Sequence, residues 1–225
     1  TRLIGAAHNA LHECPLGASA LAGSTLALDR AAAATFLGFD RPTRNALDTV
    51  GDRDAAIDVL HALTRALVWA SRVSEELVIW CTPAFGYARL SDAASTGSSA
   101  MPQKRNPDPF ELVRASAAGA IGSLVAALGT QSGIALSYHR DLQETKGHVI
   151  RGLERGFESL EAFAMALLHL TFDRKRMLAH AADGFTVATD VAEALVERGV
   201  PAREAHRMVG ARVMAAEREG RQLDE

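Results

Sequence analysis

From about Asp54 to Trp80, apolar side chains return every three or four residues: Ala56, Leu60, Leu63, Leu67, Ala70, Val73 and Leu77. That spacing draws one apolar stripe along a helix of about seven turns. Pro83 ends it, because proline has no N–H to continue the ladder. A helix of this length must bury its stripe against others, and the sequence supplies them. One is predicted from Phe110 to Leu128, rich in Ala and Gly, whose small side chains let neighbouring backbones approach. Another is predicted over about Lys146 to Leu170, with Val149, Leu153, Phe157, Leu160, Phe163 and Leu167 on one face. Long helices joined by irregular segments predict an all-α chain built around a long-helix bundle. No stretch carries strand-turn-strand patterning.

After Phe172 the punctuation becomes dense. Asp173 is placed to cap a helix over Arg174–Ala181, with Gly184 following. Thr189 or Asp190 is placed to cap a helix that stops at Gly199, and Pro201 opens one that stops near Gly220. These predict two domains: a central helical bundle over residues 1–170 and a small helical domain over residues 171–225.

Composition narrows the classes. Apolar residues make up 48% of the chain and aromatics 5%, an Ala- and Leu-rich balance that favours helix. The formal net charge of −3, with Lys and Arg scattered among Asp and Glu, argues against a nucleic-acid or anionic-membrane surface. No apolar run is expected to reach the length of a membrane span, since Gly119 and Gly122 interrupt Ala115–Gly129. Cys14 and Cys81 have no metal-ligand companions and are expected as buried thiols of a reducing compartment.

One segment resists regular structure. Ser91–Pro109, SDAASTGSSAMPQKRNPDP, carries four Ser and three Pro between two long helices. On composition alone two readings stand. It is a surface loop whose prolines set turns, or it is a closing loop that presents N–H groups, hydroxyls and cations to an anion. Ser98, Ser99, Lys104, Arg105 and Asn106 fall within nine residues beside Gly97, and Glu111 stands at the start of the next helix.

The run Gly97–Pro107, GSSAMPQKRNP, resembles the signature GSSxMPxKxNP of the fumarase/aspartase superfamily, matching eight fixed positions in eleven residues. Other stretches resemble its argininosuccinate lyase branch: PLGASALAG at Pro15–Gly23, Asp29-Arg30, Asn45–Asp54, YHRDLQE at Tyr138–Glu144, Thr189-Asp190, and GVPAREAH at Gly199–His206. Gln103 favours the same branch. The resemblance thus runs along essentially the whole chain.

It implies a β-elimination that breaks a C–N bond of a succinyl group and releases fumarate, with arginine as the leaving amine in this branch. Ser98 is implied as the hydroxyl that takes the carbon proton. Lys104 and Asn106, with Ser99, are implied to bind the fumaryl carboxylates. Glu111 is implied to orient and charge a catalytic His. Tyr138, Gln143 and Lys146 match positions that hold the amino-acid end of the substrate. The implied chemistry needs no metal and no organic cofactor, and no His/Cys/Asp cluster has metal-ligand spacing. The resemblance further implies a cytoplasmic homotetramer whose active sites are shared between subunits, with neither nucleic acid nor membrane as partner.

Four positions depart from the branch pattern: Ala46, Gly51, His139 and Thr145 stand where it carries Ser, Ser, Asn and an acid. They leave the elimination chemistry intact and bear on the amine. The family's THLQ-type motif, which holds the catalytic His, has no counterpart in these 225 residues; the resemblance places it before residue 1. The chain is therefore expected to hold only part of an active site.

Overall fold

A computed structural model describes residue 5 and residues 11–182 and 185–221. It is mostly helical, and contacts divide it into two compact units. The first contains residues 1–79 and 90–170, the second residues 80–89 and 171–225.

In the first unit, β1 (Glu13–Cys14) pairs in parallel with β2 (Arg41–Pro42) around α1 (Arg30–Phe36). Asp29 caps α1 by accepting from the N–H of Ala32 at 2.8 Å, and Arg30 donates to the carbonyl of Leu16 and the hydroxyl of Thr43. The short α2 (Ala46–Gly51) is capped by Asn45, whose side-chain oxygen accepts from Leu47. Three long helices follow: α3 (Asp54–Trp80), α4 (Asp108–Gly129) and α5 (Glu144–Leu168).

Their packing fixes their directions. Leu67 and Ala70 of α3 meet Val113, Ala117 and Ala120 of α4, with Leu160 and Phe163 of α5 packed alongside. Toward the other end, Ile57 and Leu60 of α3 meet Ala127 of α4 and Val149 of α5. So α4 runs antiparallel to both others, and two core clusters lie along the three. Phe110, fully buried in the first turn of α4, packs edge-on to Phe163 at 6.0 Å.

The predicted helices are there, but not every predicted face is the buried one. On α3, Val73 is exposed and Ser74 is buried in its place. On α5 the buried side carries small residues: Gly152, Gly156 and Ser159 lie inside, while Phe157 is 60% exposed. The reason is that leucine side chains of α3 seat against these glycines. A Cβ on Gly152 would lie 2.5 Å from Leu60, and one on Gly156 would lie 2.5 Å from Leu63. α4 also corrects the membrane expectation, being long and apolar enough to cross a bilayer by length and composition. In the fold, Phe110, Val113, Ala117, Ala120 and Ala127 of this helix are buried. Cys14 is buried as expected, whereas Cys81 is only half-buried.

In the second unit, α6 (Arg174–Ala182) is capped by Asp173, which accepts from Arg176 at 3.0 Å. Arg176 also donates to the carbonyl of Pro83, tying residues 80–89 to this helix. Trp80, Phe85, Tyr87, Phe172 and His180 form a chain of edge-on ring contacts. Helix α7 (Ala188–Glu197) starts earlier than predicted. Thr189 and Asp190 lie in its first turn, and Val187 holds the cap position without a side-chain bond. Helix α8 (Ala202–Glu219) begins after Pro201 and ends at Gly220, whose φ of 63° suits glycine. The predicted stop at Gly184 lies outside the described residues.

Candidate active site

The segment between α3 and α4 is built as a loop with a closed neck. At its root, Ser91 donates its N–H to the carbonyl of His169 at 3.0 Å, and its hydroxyl lies 3.1 Å from the His169 ring. Farther out, Thr96 and Asn106 form an antiparallel bridge with reciprocal backbone bonds of 3.2 and 2.8 Å. The Asn106 side chain reinforces the neck by donating to the carbonyl of Gly97. Arg105 ties it from outside, donating to Asp92 at 2.8 Å and to the carbonyl of Pro102 at 3.2 Å.

The tip between the two strands of this neck presents Ser98, half-buried, and Ser99 and Lys104, both exposed. The Ser98 hydroxyl oxygen accepts from two backbone N–H groups, those of Ala100 and Met101, each at 3.2 Å. Donors aimed at one oxygen favour negative charge on it. Of the two adjacent cations, Arg105 is engaged with Asp92 and Lys104 stands out at the tip. Beyond Pro107 the chain enters α4, where Glu111 is half-buried in the first turn. One turn on, Arg114 pairs with Glu75 of α3; that bond, then the charges of Glu75 and Glu111, hold its guanidinium above the ordinary value.

The remaining sequence-predicted residues gather elsewhere. After α4 ends, the chain turns through Ser137, whose φ of 81° is left-handed, and a 3-10 turn over Arg140–Gln143 leads into α5. Gln143 donates its amide to the Tyr138 hydroxyl at 2.8 Å, and Lys146 projects, exposed, from the first turn of α5. Leu142 is buried beneath the turn. A cleft of about 240 Å³ opens beside it, lined in part by Asp48, Asp52, Asp54, Gln131 and Ser137. Burial raises the Asp54 carboxyl above its ordinary value, and Asp52, Asp58 and Asp48 raise it further against the opposing bond from Gln131.

The structure thus forms two clusters, one holding Ser98, Ser99, Lys104, Asn106 and Glu111, the other holding Tyr138, Gln143 and Lys146. Among the described residues no hydrogen bond or ion pair links them. The loop precedes the first residue of α4 and the Tyr138 turn follows its last. With 22 residues in that helix, the span between its ends is about 33 Å. The sequence does not reveal the Thr96–Asn106 bridge, the Asp92–Arg105 pair or the contact of the Thr130 and Thr145 hydroxyls, because no periodicity marks pairs that a fold brings together. Among the described residues no group of three or more His, Cys, Asp or Glu is placed to hold a metal.

Set beside known proteins, residues 3–122 match the family described as Lyase, more than half of the chain. Residues 185–225 match the family described as Argininosuccinate lyase C-terminal. The chain belongs to the lyase family of the fumarase/aspartase superfamily. Within it, the curated relatives that this chain resembles carry the name argininosuccinate lyase. It is 51% identical to the argininosuccinate lyase of Anaeromyxobacter dehalogenans (strain 2CP-C) over 93% of its own length. It is 47% identical to that of Halorhodospira halophila (strain DSM 244 / SL1) over 96%. The chain spans less than half of these relatives, 45% and 46% respectively. Among solved structures, EDDS lyase in complex with formate superposes with a TM-score of 0.85 at 29% identity, over 98% of this chain and 44% of that one. The class II fumarase of Schistosoma mansoni shares the fold, with a TM-score of 0.81 at 15% identity over 99% of this chain and 50% of that one.

Proposed function

We propose that this chain contributes the elimination loop and the amino-acid-end residues of an argininosuccinate lyase, a carbon–nitrogen lyase that releases fumarate and L-arginine from L-argininosuccinate. The observation that carries the reading is the Ser98 oxygen held by the N–H groups of Ala100 and Met101 at the tip of a loop closed by Thr96 and Asn106. Ser98, as the alkoxide left when its own proton passes to a base outside these residues, takes the proton from the carbon next to a carboxylate. The C–H electron pair forms the fumarate double bond as the C–N bond breaks, and the amine leaves with a proton supplied from outside these residues. The two N–H groups and the Lys104 charge stabilise the negative charge that moves from oxygen to substrate. Lys104, Ser99 and Asn106 bind the fumaryl carboxylates; for Asn106 this means releasing the Gly97 carbonyl when substrate arrives. Glu111 orients a histidine supplied from outside these residues. Tyr138, Gln143 and Lys146 hold the amino-acid end. The assembly works as a cytoplasmic enzyme of arginine biosynthesis.

The active unit is a homotetramer with shared sites. Support comes from the span of about 33 Å between the two clusters, too long for one substrate to bridge. Apolar side chains left exposed on the three long helices point the same way: Trp69 is 60%, Leu112 61%, Val125 63% and Phe157 60% exposed.

A second reading keeps the elimination and changes the amine. Gly51, His139 and Thr145 depart from the branch pattern, and all three lie at or beside the Tyr138 turn. EDDS lyase, similar in fold, carries a different name from the argininosuccinate lyases. The test is fumarate release, followed by ultraviolet absorbance, from argininosuccinate and a panel of other N-substituted aspartates. Turnover of argininosuccinate above the panel is expected. Preference for another member selects the second reading, and silence on all of them leaves a non-catalytic relative of the δ-crystallin kind.

A further inference from the structure

The Tyr138–Gln143 pair stands on a segment held from two sides by residues outside the proposed site. On one side is a hydroxyl relay. Thr145, 1% exposed in the first turn of α5, has its hydroxyl oxygen 2.6 Å from that of Thr130, just past the end of α4. Thr130 gives its single hydrogen to the carbonyl of Ala127 at 2.7 Å, so Thr145 is the donor between the two threonines. The relay ties the start of α5 to the last turn of α4, and Gln143 and Lys146 flank Thr145 in sequence. On the other side, Gly51 at the end of α2 leaves room for the backbone of Ser137. A Cβ on Gly51 would lie 2.8 Å from the Ser137 carbonyl oxygen. Ser137 is held at φ 81° immediately before Tyr138, and its hydroxyl oxygen is buried without a partner among the described residues.

We propose that Thr145 and Gly51 are positioning residues for recognition of the substrate's amino-acid end. Thr145 fixes where Gln143 and Lys146 project, and Gly51 fixes the backbone from which Tyr138 projects. Neither touches substrate; each acts through the Tyr138–Gln143 pair. This rests on the reading that Tyr138, Gln143 and Lys146 hold that end.

The experiment uses the whole protein that carries this chain, in its natural assembly, with Thr145→Val, Thr145→Ser and Gly51→Ala. Valine keeps the shape of threonine and removes the donor, whereas serine keeps the donor. Thr145→Val is expected to raise KM for argininosuccinate about fivefold, the effect of one lost hydrogen bond, with kcat within about twofold, and Thr145→Ser is expected to restore it. Gly51→Ala is expected to move KM the same way. Hydrogen exchange supplies a readout that needs no turnover. In Thr145→Val, the amides of residues 138–146 are expected to exchange faster while those in the middle of α3 and α4 keep their protection. Unchanged KM in an active enzyme overturns the proposal, as does exchange that rises evenly through the bundle. Silence of the unmutated enzyme sinks the functional reading instead and leaves the exchange result to decide the positioning role.

Discussion

Gly156 of α5 lies directly beneath Leu63 of α3, so closely that a Cβ at Gly156 would lie 2.5 Å from one Leu63 methyl carbon and 2.7 Å from its branch carbon. Leu63 is itself buried. The branch carbon cannot move aside as a side-chain tip would, so the two helices must separate or Leu63 must leave its rotamer. Gly156→Ala gains about 1 kcal/mol of helix propensity and meets an overpacking cost of about 1–3 kcal/mol. A net loss of about 1 kcal/mol is expected, read as a lower denaturation midpoint with an unchanged denaturant slope. A midpoint equal to or above the parent's would contradict the packing described.

The acidic start of α3 gives a pH signature. Asp54 holds its proton more tightly in the folded chain than the ordinary value of 3.8 allows, first through burial and then through Asp52, Asp58 and Asp48. For a raised carboxyl the contribution to stability is full below the unfolded value and is lost as pH rises through the folded one. Asp54→Asn removes that loss. The variant is expected to be more stable than the parent at pH 7, with the margin closing as pH falls to about 3. Thermal melts across that range check it; a margin that widens toward acid would reverse the sign.

Much of this architecture was legible in the residues. The predicted bounds of α3 coincide with the observed ones because a 27-residue amphipathic stripe with a proline beyond it leaves few alternatives. Asp173 and Pro201 marked their helices for local reasons that tertiary packing did not disturb. The buried face of α5 was not legible: Phe157 and Leu167 look like core in one dimension, yet the closest contact is made by glycines that hydrophobicity does not register. The loop was legible as a motif, but its working geometry was not. The neck depends on Thr96 meeting Asn106 and Arg105 meeting Asp92. The two-cluster layout follows from the 22 residues of α4 that separate the loop from the Tyr138 turn.

Ser98→Ala removes both the proposed base and the acceptor for the N–H groups of Ala100 and Met101. A fall in kcat of about a thousandfold is expected, the scale of losing a positioned general base, with KM changed little. Steady-state fumarate release measures it. A variant that keeps a tenth or more of the parent's kcat would move the proton-abstracting role away from Ser98.

On the proposed function, different copies of the chain complete each site, because the two clusters lie at opposite ends of one helix of about 33 Å. That sharing can be tested by mixing. Ser98→Ala and Gln143→Ala are prepared separately in the whole protein, each with its own activity loss, then unfolded together and reassembled. Hybrid assemblies contain some sites built from the intact loop of one copy and the intact Tyr138–Gln143 pair of another. Fumarate release from argininosuccinate is expected to rise well above either variant alone, while each variant taken through the same cycle by itself stays low. A mixture no more active than its components, with unmutated protein recovering fully from the same treatment, would contradict it.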